Sequence, residues 1–203
     1  LQAVLTSAVT DHTTGIAEIP LLIAPEKAEL ARWNETSVDE GAAATLVDLF
    51  EAQAARVPQT TAVVASAAVN AGDVAQLTFG DLNARANQLA RELVQLGVEA
   101  NAPVGLLLDR SVETIVGLLG VLKAGGCYVP LSEDAPDARL AQQLAECGAR
   151  VVITSVQMAA KVPAGLSVIQ LDNASDLATL GAHATTNPHI PIAPDHLAYV
   201  LYT

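Results

Sequence analysis

Aromatic side chains are nearly missing from this chain, which holds one Trp, three Tyr and two Phe among 203 residues. Its apolar content is nonetheless 51%, so a core must be built from Ala, Val, Leu and Ile. Basic residues are also scarce: ten Lys and Arg stand against 22 Asp and Glu, a formal net charge of -12. That balance serves solubility and argues against non-specific binding to nucleic acid or anionic membranes. The two cysteines, Cys127 and Cys147, form no CxxC pair and no Cys/His cluster. This excludes a disulfide framework and speaks against structural zinc. No apolar run reaches the roughly 18 residues a membrane helix needs. No basic segment followed by an apolar stretch marks a signal peptide, so a cytoplasmic location is expected. The chain opens on Leu1 rather than Met, which suggests an internal piece of something longer.

Self-contained catalytic motifs are missing as well. There is no GxxxxGK[ST] phosphate loop, no GxGxxG and no GxSxG nucleophile elbow. His12, His183, His189 and His196 are scattered, without an HExxH context, and read as surface or loop residues. Asp109-Arg110-Ser111 follows an apolar run, where α/β proteins often place functional groups. Helix capping by Ser111 and a solvated ion pair account for it more simply. Lys123 falls in the last turn of a helical pattern, where a cation suits the dipole; that placement requires no catalytic role.

What is present is a regular alternation of strands and helices. Near the start, Leu1, Val4, Leu5 and Val9 suggest a short helical face. Ile19-Pro20-Leu21-Leu22 reads as extended. Pro25 suits the first turn of a helix carrying Leu30 and Trp33, and residues 34–44 read as a linker. Leu46, Leu49, Phe50 and Val57 then fit one face of a helix ended by Pro58. A β-prone run at 61–65 and a turn at 70–73 precede Gln76-Leu77-Thr78-Phe79. Thr78 and Asp81 have capping-box spacing, opening a helix with Leu82, Ala86, Leu89, Leu93 and Leu96 on one side and Gly97 at its end. Residues 104–108 form a continuous apolar strand, as expected of one covered on both faces. An apolar stripe (Ile115, Leu118, Leu119, Leu122) runs into Gly125-Gly126 and then into Cys127-Tyr128-Val129-Pro130, a helix feeding a strand through a glycine turn. Leu140, Leu144 and Cys147 mark another helix, ended by Gly148. Strands follow at 151–154 and 168–171, a loop at 181–195, and a strand at 197–203. The pattern implies an α/β layered fold with a mainly parallel sheet and flanking helices.

Four segments resemble the adenylation domains of non-ribosomal peptide synthetases, within the AMP-forming acyl-activating family that includes acyl-CoA ligases and firefly luciferase. Leu46-Val47-Asp48-Leu49-Phe50-Glu51-Ala52-Gln53 with Val57-Pro58 resembles the opening helix. Leu77-Thr78-Phe79-Gly80-Asp81-Leu82-Asn83 resembles the first core motif, and the ten residues 122–131 the second. Leu197-Ala198-Tyr199 with Tyr202-Thr203 resembles the start of the third. Upstream, Glu18-Ile19-Pro20-Leu21-Leu22 and Arg32-Trp33-Asn34-Glu35-Thr36 resemble the tail of a condensation domain and its linker. Ser132-Glu133 and Ala135-Pro136 depart from the family's Asp-Pro and Tyr-Pro.

The resemblance implies a division into a condensation-domain remnant with linker (1–40) and the N-terminal portion of the large subdomain of an adenylation domain (41–203). It implies a parent that uses ATP and Mg2+ to convert an amino acid to an aminoacyl-adenylate. The acyl group would then pass to the phosphopantetheine thiol of a carrier domain, with condensation and carrier domains as partners in one megasynthase. No catalytic residue carries over. Thr203 alone carries over as an ATP-binding candidate, because the family's phosphate-holding loop follows it. The 203-residue piece alone is therefore expected to be inactive. Two other readings are a free-standing acyl- or aryl-acid ligase and a non-catalytic α/β interaction module.

Overall fold

Thr78 marks the point where one strand ends and the longest helix begins, and both events follow from its side chain. The computed structural model describes residues 2–13, 15–37, 45–66 and 74–202. In it, β2 (Val74–Thr78) pairs antiparallel with β1 (Thr61–Ser66). The helix α4 (Phe79–Gln95) starts immediately after. Thr78 Oγ1 accepts the Asp81 N–H at 3.1 Å and donates to Asp81 Oδ2 at 2.7 Å, which satisfies a free donor of the first turn. Thr78→Ala is expected to cost about 1 kcal/mol, read from a denaturation midpoint, while Thr78→Ser should cost far less.

The chain divides into two compact units, Leu1–Ala42 and Ala43–Thr203. In the first, α1 (Gln2–Thr10) and α2 (Ala24–Trp33) are joined through a 3-10 turn, with Pro25 in the first turn of α2. The apolar face expected on α1 is not a buried one: Leu5 and Val9 are exposed and Ala3 is the residue covered. Leu30 and Trp33 of α2 are exposed too. Residues 19–23 pair with no strand, and Ile19 and Ile23 have extended backbone. Most of the expected linker (38–44) and the expected turn at 70–73 lie outside the described residues.

The second unit is built on a four-stranded sheet ordered β4-β3-β5-β6. Its strands are β3 (Pro103–Leu107), β4 (Cys127–Pro130), β5 (Val151–Thr154) and β6 (Ser167–Gln170), all parallel. Alternation along each strand serves two cores. Val104, Leu106, Val151, Ile153 and Ile169 face one side, against α4 and α5 (Val112–Lys123). Leu107, Val129 and Val152 face the other, against Leu140 and Leu144 of α6 (Asp137–Cys147). The expected α/β layering with a parallel sheet is therefore what forms.

Details differ from the sequence reading. The buried positions of α3 (Leu46–Arg56) are Val47 and Ala54, while Leu46 and Leu49 are 63% and 55% exposed. Phe50, on the expected face, does pack against the core. Leu96 falls just past the end of α4 and is exposed. An unanticipated helix, α7 (Ala174–Gly181), begins at Asn173, whose side chain caps it. The segment 197–202 is not a full strand: among the described residues it makes one parallel bridge, Tyr199 to Tyr128 on β4.

Candidate functional site

In a parallel sheet every strand points the same way, so all the carboxyl ends meet on one edge, where open α/β folds hold ligands. Here that edge is formed by the ends of β3, β4, β5 and β6. The segment 197–202 runs parallel to β4, so its far end is delivered to the same edge. Two bonds fix it there: Tyr128 N–H donates to Ala198 O at 3.1 Å, and Val200 N–H to Tyr128 O at 3.0 Å. The Tyr128 and Tyr199 rings lie 5.6 Å apart between centroids, a separation at which aromatic pairs attract. On the other face Val200 and Tyr202 pack toward the α6 core, and Tyr202 Oη donates to Gln143 O at 3.0 Å. Thr203, the ATP-binding candidate, lies outside the described residues, one position beyond this anchored run.

A cleft of about 180 Å3 opens on the same edge beside β3, β5 and β6, lined by Asp109, Ser111, Glu113, Thr154, Ser155 and Asp172 among others. Ser111 precedes α5 but does not cap it with its side chain; its Oγ is buried without a hydrogen-bond partner. The nearby polar groups are committed elsewhere. Thr154 Oγ1 donates to Leu107 O at 2.9 Å, and Asp172 Oδ1 accepts the Val156 N–H at 2.7 Å. Thr114 Oγ1 donates to the Asp109 carbonyl. Glu113 pairs with Arg85 at 3.2 Å, whereas Asp109 and Arg110 are exposed. The lining holds three carboxylates, Asp109, Glu113 and Asp172, of which Glu113 is paired with Arg85.

Behind that edge sits the glycine turn. Gly125 takes φ +81°, with its N–H on Leu122 O at 3.0 Å and the Gly126 N–H on Val121 O at 3.1 Å, the double closure of a helix C-terminus. A Cβ at Gly126 would lie 2.9 Å from Ala102 O and 3.0 Å from Val98 Cγ1, so only glycine fits between the turn and the loop before β3. The Cys127 N–H donates to the same Ala102 O at 2.9 Å. Burial raises both the Cys127 thiol and the Tyr128 phenol above their ordinary values.

Lys123 has a partner that the sequence did not show. Its side chain is fully buried and paired with Glu51 of α3, whose side chain is 19% exposed. Its Nζ lies 5.8 Å from the Phe50 ring centroid. Burial pulls the ammonium below its ordinary value, and Glu51 opposes that by hydrogen bond and charge. Lys123 does lie in the last turn of α5, as expected, and there it forms a buried ion pair joining α3 to α5.

The histidines lie apart. His183 Nε2 is 2.8 Å from Glu92 Oε2 on α4. His189 takes φ +52°, and the buried His196 Nδ1 has no partner. Among the described residues no group of three or more His, Cys, Asp or Glu is placed to hold a metal ion. No helix among them is long and apolar enough to cross a membrane. Sequence reasoning also passed over Asn101, which bonds to the 197–202 segment; the signal was an Asn in the short loop between helix and strand, a residue that tolerates left-handed backbone.

The profile of the AMP-binding enzyme family matches residues 50–203. Chondramide synthase cmdD of Chondromyces crocatus is 40% identical over 205 residues, which is 100% of this chain and 5% of that protein. Tyrocidine synthase 2 of Brevibacillus parabrevis is 42% identical over 207 residues, again 100% of this chain and 5% of the relative. The chain thus spans about one twentieth of the length of these curated relatives. A crystal structure of the nonribosomal peptide synthetase FmoA3, bound to alpha-methyl-L-serine-AMP, superposes with TM-score 0.77 at 28% identity, over 98% of this chain and 22% of that one.

Proposed function

Since the chain belongs to the AMP-binding enzyme family, we propose that it forms the scaffold side of an amino-acid adenylation domain within a nonribosomal peptide synthetase. The protein would bind ATP with Mg2+ as co-substrates. An oxygen of the amino-acid carboxylate attacks the α-phosphorus, the bond to the departing pyrophosphate breaks, and an aminoacyl-adenylate remains. A carrier-domain phosphopantetheine thiol then displaces AMP and takes the acyl group as a thioester. Chemistry of this kind depends on holding two charged reactants in line. Within these residues the task falls to the sheet edge at which the 197–202 segment ends, and Thr203, the next residue in the sequence, is the proposed ATP contact. The cytoplasm is the location this role requires.

The observation that carries the proposal is the extent of the similarity. The family profile begins at residue 50, yet both peptide synthases align over the whole chain. That the first 49 residues align as well supports a peptide-synthetase reading for them too. This favours residues 1–40 as a condensation-domain remnant and linker before an adenylation portion from 41 onward. It disfavours a free-standing acyl-CoA ligase and a non-catalytic interaction module. The adenylate in the FmoA3 structure supports an aminoacyl-adenylate as the product.

Amino-acid-dependent exchange of radiolabelled pyrophosphate into ATP tests the proposal. The protein containing these residues should catalyse it with one or a few amino acids. A polypeptide limited to these 203 residues should not. Exchange with fatty or aryl acids only, or none with any acid, would overturn the reading.

A further inference from the structure

We propose that Asn101 is a positioning residue: its side chain holds the 197–202 segment in register at the sheet edge proposed to receive the nucleotide. The inference rests on the ATP-binding reading above. Asn101 and His189 are the non-glycine residues with positive φ among those described, and Asn101 sits at φ +62°. L-residues avoid this region, and Asn avoids it less than most. Glycine would satisfy the backbone at least as well, so the side chain accounts for an asparagine here.

That side chain has a defined task. Asn101 Oδ1 accepts the Leu197 N–H at 2.6 Å, a bond across 96 residues of sequence. The rest of Asn101 is tied to the glycine turn. Its N–H donates to Gly125 O at 2.9 Å, and its carbonyl accepts from Cys127 Sγ at 3.3 Å. The loop around it runs close to the turn: a Cβ added at Gly126 would lie 2.9 Å from Ala102 O and 3.0 Å from Val98 Cγ1. A rigid platform therefore presents one acceptor to the first backbone donor of the segment. The next anchors are the Tyr128 bonds to Ala198 and Val200 and the Tyr202 bond to Gln143. Without the Asn101 bond, the segment loses its first fixed point while keeping the later ones. The consequence is a looser approach to the nucleotide, not an unfolded domain.

The test compares wild type, Asn101→Gly and Asn101→Asp in the full-length protein. Glycine keeps the left-handed backbone and removes the tether; aspartate keeps both the backbone tolerance and an acceptor oxygen. Hydrogen–deuterium exchange of the peptide covering 196–202 should quicken by about fivefold in Asn101→Gly, the scale of one neutral hydrogen bond. In pyrophosphate exchange, KM for ATP should rise by about the same factor while kcat stays within about twofold. Asn101→Asp should return both readouts toward wild type. Unchanged deuterium uptake in Asn101→Gly overturns the tether. Faster uptake with unchanged KM for ATP overturns its role in placing the nucleotide. A wild-type protein without exchange activity overturns the adenylation reading itself, and is told apart because the failure appears before any substitution.

Discussion

Replacing Lys123 with methionine is expected to lower stability by about 3 kcal/mol, and replacing Glu51 with glutamine by somewhat more. The asymmetry follows from burial. Lys123 is fully buried, while the Glu51 side chain keeps 19% of its surface. A carboxylate left alone at the Glu51 position regains part of its hydration, whereas an ammonium left alone at 123 does not and must shed its proton. Methionine fills most of the volume of the lysine stem, so lost packing contributes little. The Phe50 ring, 5.8 Å from Nζ, loses its cation in both variants. The double variant, with no formal charge at either site, should be less destabilised than the sum of the single changes by at least about 1 kcal/mol. Urea titration of the four proteins measures this. Single variants within 0.5 kcal/mol of wild type, as a rough threshold for exposed pairs, would mean the pair is solvated.

Gly120→Ala should be destabilising by about 2 kcal/mol, although alanine is intrinsically favoured over glycine in a helix by about 1 kcal/mol. An added Cβ would lie 2.5 Å from Leu89 Cδ2, 2.7 Å from Cγ and 3.0 Å from Cβ. Three carbons that include the root of the side chain cannot all step aside, so α4 and α5 must separate. Leu89 is fully buried in the core between them, and separation there loosens contacts well beyond one residue. Gly117, three residues earlier on the same helix, provides the control. Its added Cβ would meet Leu106 Cδ2 at 3.2 Å and Leu108 Cδ1 at 3.5 Å, both free ends of flexible side chains. Gly117→Ala should therefore be neutral or slightly stabilising. Melting both variants beside wild type decides the matter: equal shifts in Tm for the two would sink the argument from close approach.

How far the sequence reached depended on the range of the interaction. The face of α4 was legible because Leu82, Ala86, Leu89 and Leu93 recur at helical spacing and all four are buried. Its start was legible because Thr78 and Asp81 are neighbours on one turn. The face of α3 was read in part: Phe50 packs on the core as expected, whereas Leu46 and Leu49 are exposed and Val47 and Ala54 are buried. The pairing of Glu51 with Lys123, 72 residues away, is recorded by no local pattern. Ser111 had the right residue type and place for a cap, but a cap also needs a side-chain orientation that sequence does not encode. The helix α7 was missed because its eight residues are mostly small and polar, with Leu180 as its one buried residue. Alternation along 197–202 is real, with Val200 and Tyr202 inward and Tyr199 and Leu201 outward. A ladder, however, needs hydrogen-bonded neighbours, and β4 supplies bonds only around Tyr128. For the candidate site the family resemblance pointed to Thr203, while the Asn101 bond that serves its approach appears only in three dimensions.

The strand order also bears on how the protein is made. The first strand of the parallel sheet to leave the ribosome, β3, is an interior one. Next comes β4 on one flank, β5 on the other, β6 outside β5, and Tyr199 outside β4. Each arrival therefore adds to an open margin, and no finished pair has to part to admit a later strand. At roughly 5–20 residues per second, the 24 residues from Pro103 to Cys127 occupy one to five seconds. Growth from the middle outward lets each layer settle before the next is synthesised, a useful property in a segment that forms about one twentieth of its relatives' length.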